Sequence, residues 1–134
     1  MIKILLVDDH ELLRAGLRSR LERENGIAVV GEADSAERAV VMARAVQPDV
    51  ILLDEVSMGL APKVVDEIFE ALRRLADTGV ALLLVEQYIN RALDMADKVV
   101  LLDRGQVAFD GPPADLNQDT VLRRYLGTEP ASSP

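Results

Sequence analysis

The chain has no cysteine and no tryptophan, and aromatic residues make up only 3% of its 134 positions. Without cysteine it can form neither disulfides nor thiolate metal sites. So few aromatic rings offer no platform on which nucleic-acid bases could stack. The sequence also has no signal peptide and no run of about 20 apolar residues. We therefore expect a cytoplasmic protein that does not span a membrane.

Basic residues are too few and too dispersed for a nucleic-acid surface. There are 15 of them against 23 acidic residues, which gives a formal net charge of −8 and repels phosphate backbones. Hydrophobic residues at 49% and charged residues at 28% are typical of a globular chain. We expect one domain over residues 1–127, with one core, and a flexible tail over residues 128–134.

Short apolar runs alternate with segments of helical periodicity. The runs at 2–7, 27–30, 50–53 and 80–85 predict buried strands. Helices are predicted at 11–23, after a cap at Asp34 or Ser35, after Pro62, at about 90–96 and near the C-terminus. Such alternation indicates right-handed crossovers and a three-layer, flavodoxin-like α/β fold. Two last runs, 99–102 and 106–109, predict an antiparallel hairpin.

Three carboxylates follow the predicted strands one and three. In a parallel sheet, Asp8, Asp9 and Asp54 would meet at the edge formed by the carboxyl ends of the strands. Each pair would repel by roughly 3 kcal/mol at an effective dielectric near 20, which a divalent cation would relieve. Oxygen ligands favour Mg²⁺ or Mn²⁺. The alternative is a solvated rim, and the single histidine, His10, is interpreted as a loop or cap residue.

Four segments in the first part of the chain match the motifs of a single family. They are Leu6-Val7-Asp8-Asp9-His10, Arg14-Ala15-Gly16-Leu17, Val30-Gly31-Glu32-Ala33 and Pro48-Asp49-Val50-Ile51-Leu52-Leu53-Asp54. With them, residues 1–54 resemble the receiver domain of two-component response regulators, closest to the DNA-binding class. The resemblance implies that Asp8 and Asp9 hold Mg²⁺ and that Asp54 accepts a phosphoryl group.

The later strand ends depart from that pattern. A receiver has Ser or Thr after its fourth strand and Lys after its fifth. This chain has Glu86-Gln87 and Asp103-Arg104 there. The resemblance therefore implies weak phosphoryl acceptance without regulated signalling.

Five segments in the second part of the chain match the motifs of a different family. They are Leu52-Leu53-Asp54-Glu55, Ser57-Met58-Gly59-Leu60-Ala61-Pro62, Leu83-Leu84-Val85-Glu86-Gln87, Asp103-Arg104-Gly105-Gln106-Val107 and Tyr125-Leu126-Gly127. With them, residues 52–128 resemble the C-terminal part of an ABC transporter ATP-binding subunit, closest to the branched-chain amino acid family. The resemblance implies that Asp54 is the Walker B aspartate, that Glu55 is the base for the attacking water, and that Gln87 stands at the switch-histidine position.

The motifs that bind nucleotide phosphates are missing. The chain contains no G-x-x-x-x-G-K-[ST] sequence and no LSGGQ-type signature, so no glycine-rich loop and lysine can hold the phosphates. We therefore expect no ATPase activity and no enzyme function. The two families also disagree about which strands are neighbours. We expect the receiver order, 2-1-3-4-5, with an antiparallel sixth strand at the edge.

We interpret the chain as a recombined, engineered α/β chimera, with a receiver-like half at 1–54 and an ATPase-like half at 55–127. It would retain at most a Mg²⁺ site and weak phosphoryl acceptance at Asp54. The first alternative is a functioning receiver module of a phosphorelay. The second is a degenerate ABC ATPase fragment that needs a partner to supply Walker A. An uncovered strand edge could promote a homodimer.

Overall fold

A computed structural model describes residues 1–86 and 89–116. It divides into two compact units, Met1–Arg91 and a second one that begins at Ala92. No helix within the described residues is long and apolar enough to cross a membrane. The predicted closing helices lie mainly outside the described residues, as does the predicted tail. The expectation of a single domain over residues 1–127 stays a prediction.

Seven elements build the first unit. They are β1 (Ile2–Val7), α1 (Glu11–Glu22), β2 (Ile27–Ala33), α2 (Ala36–Val46), β3 (Val50–Asp54), α3 (Pro62–Asp77) and β4 (Ala81–Val85). The short helix α4 (Ile89–Met95) follows β4 in sequence. The second unit contains β5 (Val99–Asp103), β6 (Gln106–Gly111) and a 3-10 turn at Pro113–Asp115.

The first unit is organised around a parallel sheet with the strand order β2-β1-β3-β4. Val7, at the end of β1, lies opposite both Ala33 of β2 and Leu53 of β3. Asp54, the last residue of β3, lies opposite Val85 of β4. The order predicted for these four strands is confirmed. It brings the carboxyl ends of β1 and β3 side by side.

The predicted place of the fifth strand is wrong. Strand β5 pairs antiparallel with β6 in a separate two-stranded sheet, so the 2-1-3-4-5 order does not continue past β4. The turn residues Arg104 and Gly105 both have positive φ, at 51° and 79°. Two such residues make a tight hairpin turn whose twist suits the strands on either side of it. The two neighbouring strands thus satisfy each other's backbone hydrogen bonds locally.

The core lies between the sheet and helices α2 and α3, which pack against each other. Strands β1 and β3 contribute buried aliphatic side chains, because their positions are apolar on both faces. Helix α3 contributes an apolar stripe at helical spacing, whose buried members are Val65, Ile68, Phe69, Leu72 and Leu75. Ser35 caps α2, since its hydroxyl oxygen accepts the Arg38 N–H at 3.2 Å. Of the two predicted caps, Asp34 and Ser35, the N-cap is therefore Ser35.

Candidate functional site

Asp8 is buried at the point where β1 ends and the chain turns into α1. Its backbone N–H donates to the Ala33 carbonyl oxygen at 3.1 Å, which continues the pairing of β1 with β2. Its carboxylate oxygen Oδ1 accepts the backbone N–H of His10 at 2.8 Å. The side chain therefore closes a turn that places His10 at the N-cap of α1.

Asp8, Asp9 and His10 form a compact group at this turn. The Nδ1 atom of His10 lies 2.9 Å from Asp9 Oδ1 and 3.3 Å from Asp8 Oδ1. One ligand atom from each of the three residues lies within 4.8 Å of the other two. His10 is a cap residue, as predicted, and it also contacts both carboxylates.

Asp54 ends β3, beside the end of β1. Burial raises the pKa of its carboxyl group, and the negative charges of Asp8 and Glu55 raise it further. His10 acts in the opposite direction. The fold therefore brings Asp54 under the influence of the Asp8 charge, although Asp54 is not part of the 4.8 Å group. The assignment of Asp8, Asp9 and Asp54 as one set of metal ligands stays a prediction.

Glu55 turns the chain sharply after β3. Its φ angle is 48°, in the left-handed region that few residues other than glycine adopt. Its backbone N–H donates to the Val85 carbonyl oxygen at 2.8 Å, and its own carbonyl oxygen accepts the Met58 N–H at 3.2 Å. The loop between β3 and α3 is thereby attached to the end of β4. The base role implied for Glu55 stays a prediction.

Ser57 and Glu86 form a contact that the sequence analysis did not predict. Ser57 is fully buried, and its hydroxyl donates to Glu86 Oε1 at 2.5 Å. Glu86 thus accepts a hydrogen bond from the β3–α3 loop. Both residues lie in the ATPase-like motifs, but they are 29 positions apart and no periodicity links them.

A second unpredicted feature is a set of ion pairs behind the Asp8 turn. Arg14 of α1 donates from Nε to Glu32 Oε1 at 3.0 Å and from Nη1 to the Asp8 carbonyl oxygen at 2.5 Å. Arg18 donates to the other oxygen of Glu32 at 2.5 Å. Both Arg14 and Glu32 lie in the receiver-like motifs, which was the only signal available from the sequence.

One predicted site residue remains untested. Gln87 lies outside the described residues. Asp103 ends β5 in the second unit, and Arg104 begins the tight turn to β6. Within residues 1–86, the site therefore consists of Asp8, Asp9, His10, Asp54 and Glu55.

The donor groups of this site fit a hard divalent cation. Asp8, Asp9 and Asp54 offer carboxylate oxygens, the ligands that Mg²⁺ prefers in proteins. The raised pKa of Asp54 shows that its charged form is penalised by burial and by neighbouring carboxylates. A bound cation would remove that penalty, because an opposite charge favours the ionised form.

Comparison with known proteins gives a family for the first part of the chain. Residues 4–61 match the response regulator receiver domain. These residues are a receiver-domain segment. Over 54 residues the chain is 50% identical to the response regulator GacA of Pseudomonas syringae pv. syringae, in a match that covers 40% of this chain and 25% of GacA. A solved response regulator of the LuxR family from Aurantimonas sp. SI85-9A1 has a TM-score of 0.54 and 31% identity, covering 70% of this chain and 68% of that one.

The similarity to ABC transporter proteins is also present. The chain is 37% identical over 114 residues to the high-affinity branched-chain amino acid transport ATP-binding protein BraG of Pseudomonas aeruginosa, in a match that covers 83% of this chain and 47% of BraG. A match of that length must begin well before residue 52, so it overlaps the receiver-domain segment. The chain spans about half the length of BraG and a quarter of the length of GacA.

Proposed function

We propose that the first unit is a receiver-like module that binds a divalent cation with Asp8, Asp9 and Asp54 and accepts a phosphoryl group weakly at Asp54. The observation that carries the proposal is the register of β1 and β3. Val7 lies opposite Leu53, so the next residues, Asp8 and Asp54, leave adjacent strands at the same edge. The influence of the Asp8 charge on the pKa of Asp54 supports the same proximity.

The chemistry follows from the carboxylates. When bound, Mg²⁺ would neutralise negative charge on the ligands and on phosphoryl oxygens. With acetyl phosphate as donor, an Asp54 carboxylate oxygen would attack the phosphorus atom. A new oxygen–phosphorus bond would form, the bond to the acetyl oxygen would break, and acetate would leave. The reaction needs the ionised form of Asp54, which burial and the neighbouring carboxylates disfavour without the cation.

Two departures from the receiver pattern limit this function. Glu86 follows β4, and a negative side chain offers no hydrogen-bond donor to a phosphoryl oxygen. Its carboxylate instead accepts the Ser57 hydroxyl. Asp103 and Arg104 belong to the separate hairpin. We therefore propose phosphoryl acceptance without a regulated switch, in a recombined chain that joins two parent sequences near Asp54.

Labelling with acetyl phosphate in the presence of Mg²⁺ tests the proposal, with the adduct detected by intact-protein mass spectrometry. We expect a phosphorylated fraction for the parent chain, its loss in Asp54→Asn, and its loss when EDTA removes Mg²⁺. The matched control is Asp77→Asn, an exposed aspartate at the end of α3, which should label like the parent. Labelling that persists in Asp54→Asn would show another acceptor. No labelling of the parent chain would exclude phosphoryl acceptance.

A second candidate is an ATPase fragment completed by another chain. The 114-residue similarity to BraG favours it, and Asp54-Glu55 stand at the end of β3 where Walker B residues would stand. Thermal unfolding with and without Mg²⁺ and ATP tests this candidate. Because the chain has no Walker A sequence, we expect ATP to add nothing beyond the effect of Mg²⁺ alone. A shift that requires ATP would favour the second candidate.

A further inference from the structure

The backbone of Asp8 is fixed from both sides. Its N–H donates to Ala33 of β2, and its carbonyl oxygen accepts Nη1–H of Arg14 at 2.5 Å. Its carboxylate then accepts the His10 N–H at 2.8 Å. The orientation of the Asp8 carboxylate therefore depends on the two peptide groups that flank Asp8, one held by β2 and the other by α1.

The guanidinium of Arg14 is itself held in place. Arg14 stands one turn into α1, and helical side chains lean toward the N-terminus, which directs it back to Asp8. Its Nε–H donates to Glu32 Oε1 at 3.0 Å, and Arg18 donates from Nη1 to Glu32 Oε2 at 2.5 Å. The Arg14 side chain is only 17% exposed, so water screens the contacts of Arg14 itself little.

We propose that Arg14 is a positioning residue for the cation site, acting through the Asp8 peptide and held in place by Glu32. This inference rests on the proposed function, since it concerns the affinity of the same site. Arg14 offers no ligand to a cation, because a guanidinium has only donors. Its effect is to keep the peptide that carries a ligand in one orientation. Groups that orient metal ligands typically change metal affinity 10–100-fold.

Charge alone predicts the opposite result. A positive guanidinium behind the site repels a divalent cation, so its removal should tighten binding if Arg14 acts only through its charge. If Arg14 positions Asp8, its removal should weaken binding. The variant Arg14→Lys separates the two effects further. Lysine keeps the charge but loses the planar fork that reaches Glu32 and the Asp8 carbonyl together.

The experiment is a titration with Mn²⁺ alone, which takes the same oxygen ligands as Mg²⁺. Electron paramagnetic resonance measures the free Mn²⁺ and thus gives Kd for the full chain and its variants. The set is Arg14→Ala, Arg14→Lys, Glu32→Gln and the control Arg38→Ala. Arg38 is an exposed arginine of α2 that pairs with Asp34 across one helical turn. Circular dichroism verifies that each variant is folded at the titration temperature.

We expect Arg14→Ala to raise the Mn²⁺ Kd about tenfold. Arg14→Lys and Glu32→Gln should raise it less, and Arg38→Ala should leave it unchanged. A purely structural role would lower the melting temperature of the Arg14 variants without changing Kd, and would overturn the inference. Tighter binding by Arg14→Ala would also overturn it, in favour of the charge effect. If Arg14→Ala does not fold, Arg14→Lys decides, because lysine keeps the charge and any rise in Kd then reports the lost positioning.

The titration also separates this inference from the proposed function. One outcome keeps the cation site and rejects the positioning role. In it, the parent chain binds Mn²⁺, Asp54→Ala weakens that binding, and the Arg14 variants bind Mn²⁺ as tightly as the parent chain. If the parent chain binds no Mn²⁺, the proposed function and the positioning role fail together.

Discussion

The fully buried hydroxyl of Ser57 donates to Glu86 at 2.5 Å. This hydrogen bond connects the loop after β3 with the residue that follows β4. A second connection runs in parallel, from the Glu55 N–H to the Val85 carbonyl oxygen at 2.8 Å. The loop that carries Glu55 is thus attached to the neighbouring strand end by one backbone contact and one side-chain contact.

Removing the Ser57 hydroxyl should destabilise the fold. We expect Ser57→Ala to lower the free energy of unfolding by roughly 1–3 kcal/mol, because a hydrogen bond to a charged acceptor is lost at a buried position. Urea unfolding followed by circular dichroism measures the change. A double-mutant cycle with Glu86→Ala, which removes the acceptor, isolates the contribution of the pair from the other contacts of Glu86. A coupling energy near zero would show that the hydrogen bond contributes no stability.

Because the pKa of Asp54 is raised, replacing Asp54 with a neutral residue should stabilise the fold by an amount that depends on pH. A carboxyl group with a raised pKa favours the folded state only while protonated, so its contribution to stability is lost as pH rises through the folded pKa. Without metal, Asp54→Asn should therefore melt higher than the parent chain at pH 7. The difference should shrink as pH falls toward the ordinary value of 3.8. Asp77→Asn should show no such trend, and a lower melting temperature for Asp54→Asn at pH 7 would contradict the assigned pKa direction.

The lowered pKa of Glu32 predicts the opposite pH dependence of stability. The hydrogen bond from Arg18, assisted by that from Arg14, lowers the pKa of the Glu32 carboxyl group against the effect of its partial burial. Its contribution is present above the ordinary value of 4.5 and is lost as pH falls through the lower folded value. We expect Glu32→Gln to cost roughly 1–2 kcal/mol at pH 7 and progressively less below pH 4.5.

Urea unfolding at several pH values measures this loss. Glu37→Gln serves as the control, since Glu37 is an exposed residue in the first turn of α2. A cost for Glu32→Gln that does not change with pH would mean that packing, and not the ionised carboxylate, accounts for it.

The N-cap of α2 gives a prediction independent of the site. Ser35→Ala removes the acceptor of the Arg38 N–H, and such a substitution typically costs about 1 kcal/mol. Ser35→Asp keeps an acceptor at the same position and should recover most of the loss. Equal unfolding free energies for the parent chain and Ser35→Ala would show that water replaces the cap without cost.

The sequence predicted the central part of this fold because local patterns determine it. Apolar runs before Asp8 and Asp54 predict buried parallel strands, and parallel strands bring their carboxyl ends to one edge. The Ser57–Glu86 and Arg14–Glu32 pairs could not be predicted in this way. Each joins side chains far apart in sequence, and a single polar contact leaves no periodic signal. The prediction for β5 is wrong because it extends the alternation of strands and helices past β4. The tight Arg104-Gly105 turn instead favours pairing of β5 with β6, its neighbour in sequence.

The most direct test of the account is thermal unfolding with and without millimolar Mg²⁺, for the parent chain and for Asp54→Ala. A ligand at ten times its Kd stabilises a protein by roughly 1.4 kcal/mol, which shifts the melting temperature by several degrees. The account predicts that Mg²⁺ raises the melting temperature of the parent chain and leaves that of Asp54→Ala nearly unchanged. If Mg²⁺ stabilises neither protein, or both equally, Asp8 and Asp54 do not form one cation site and the proposed function is wrong.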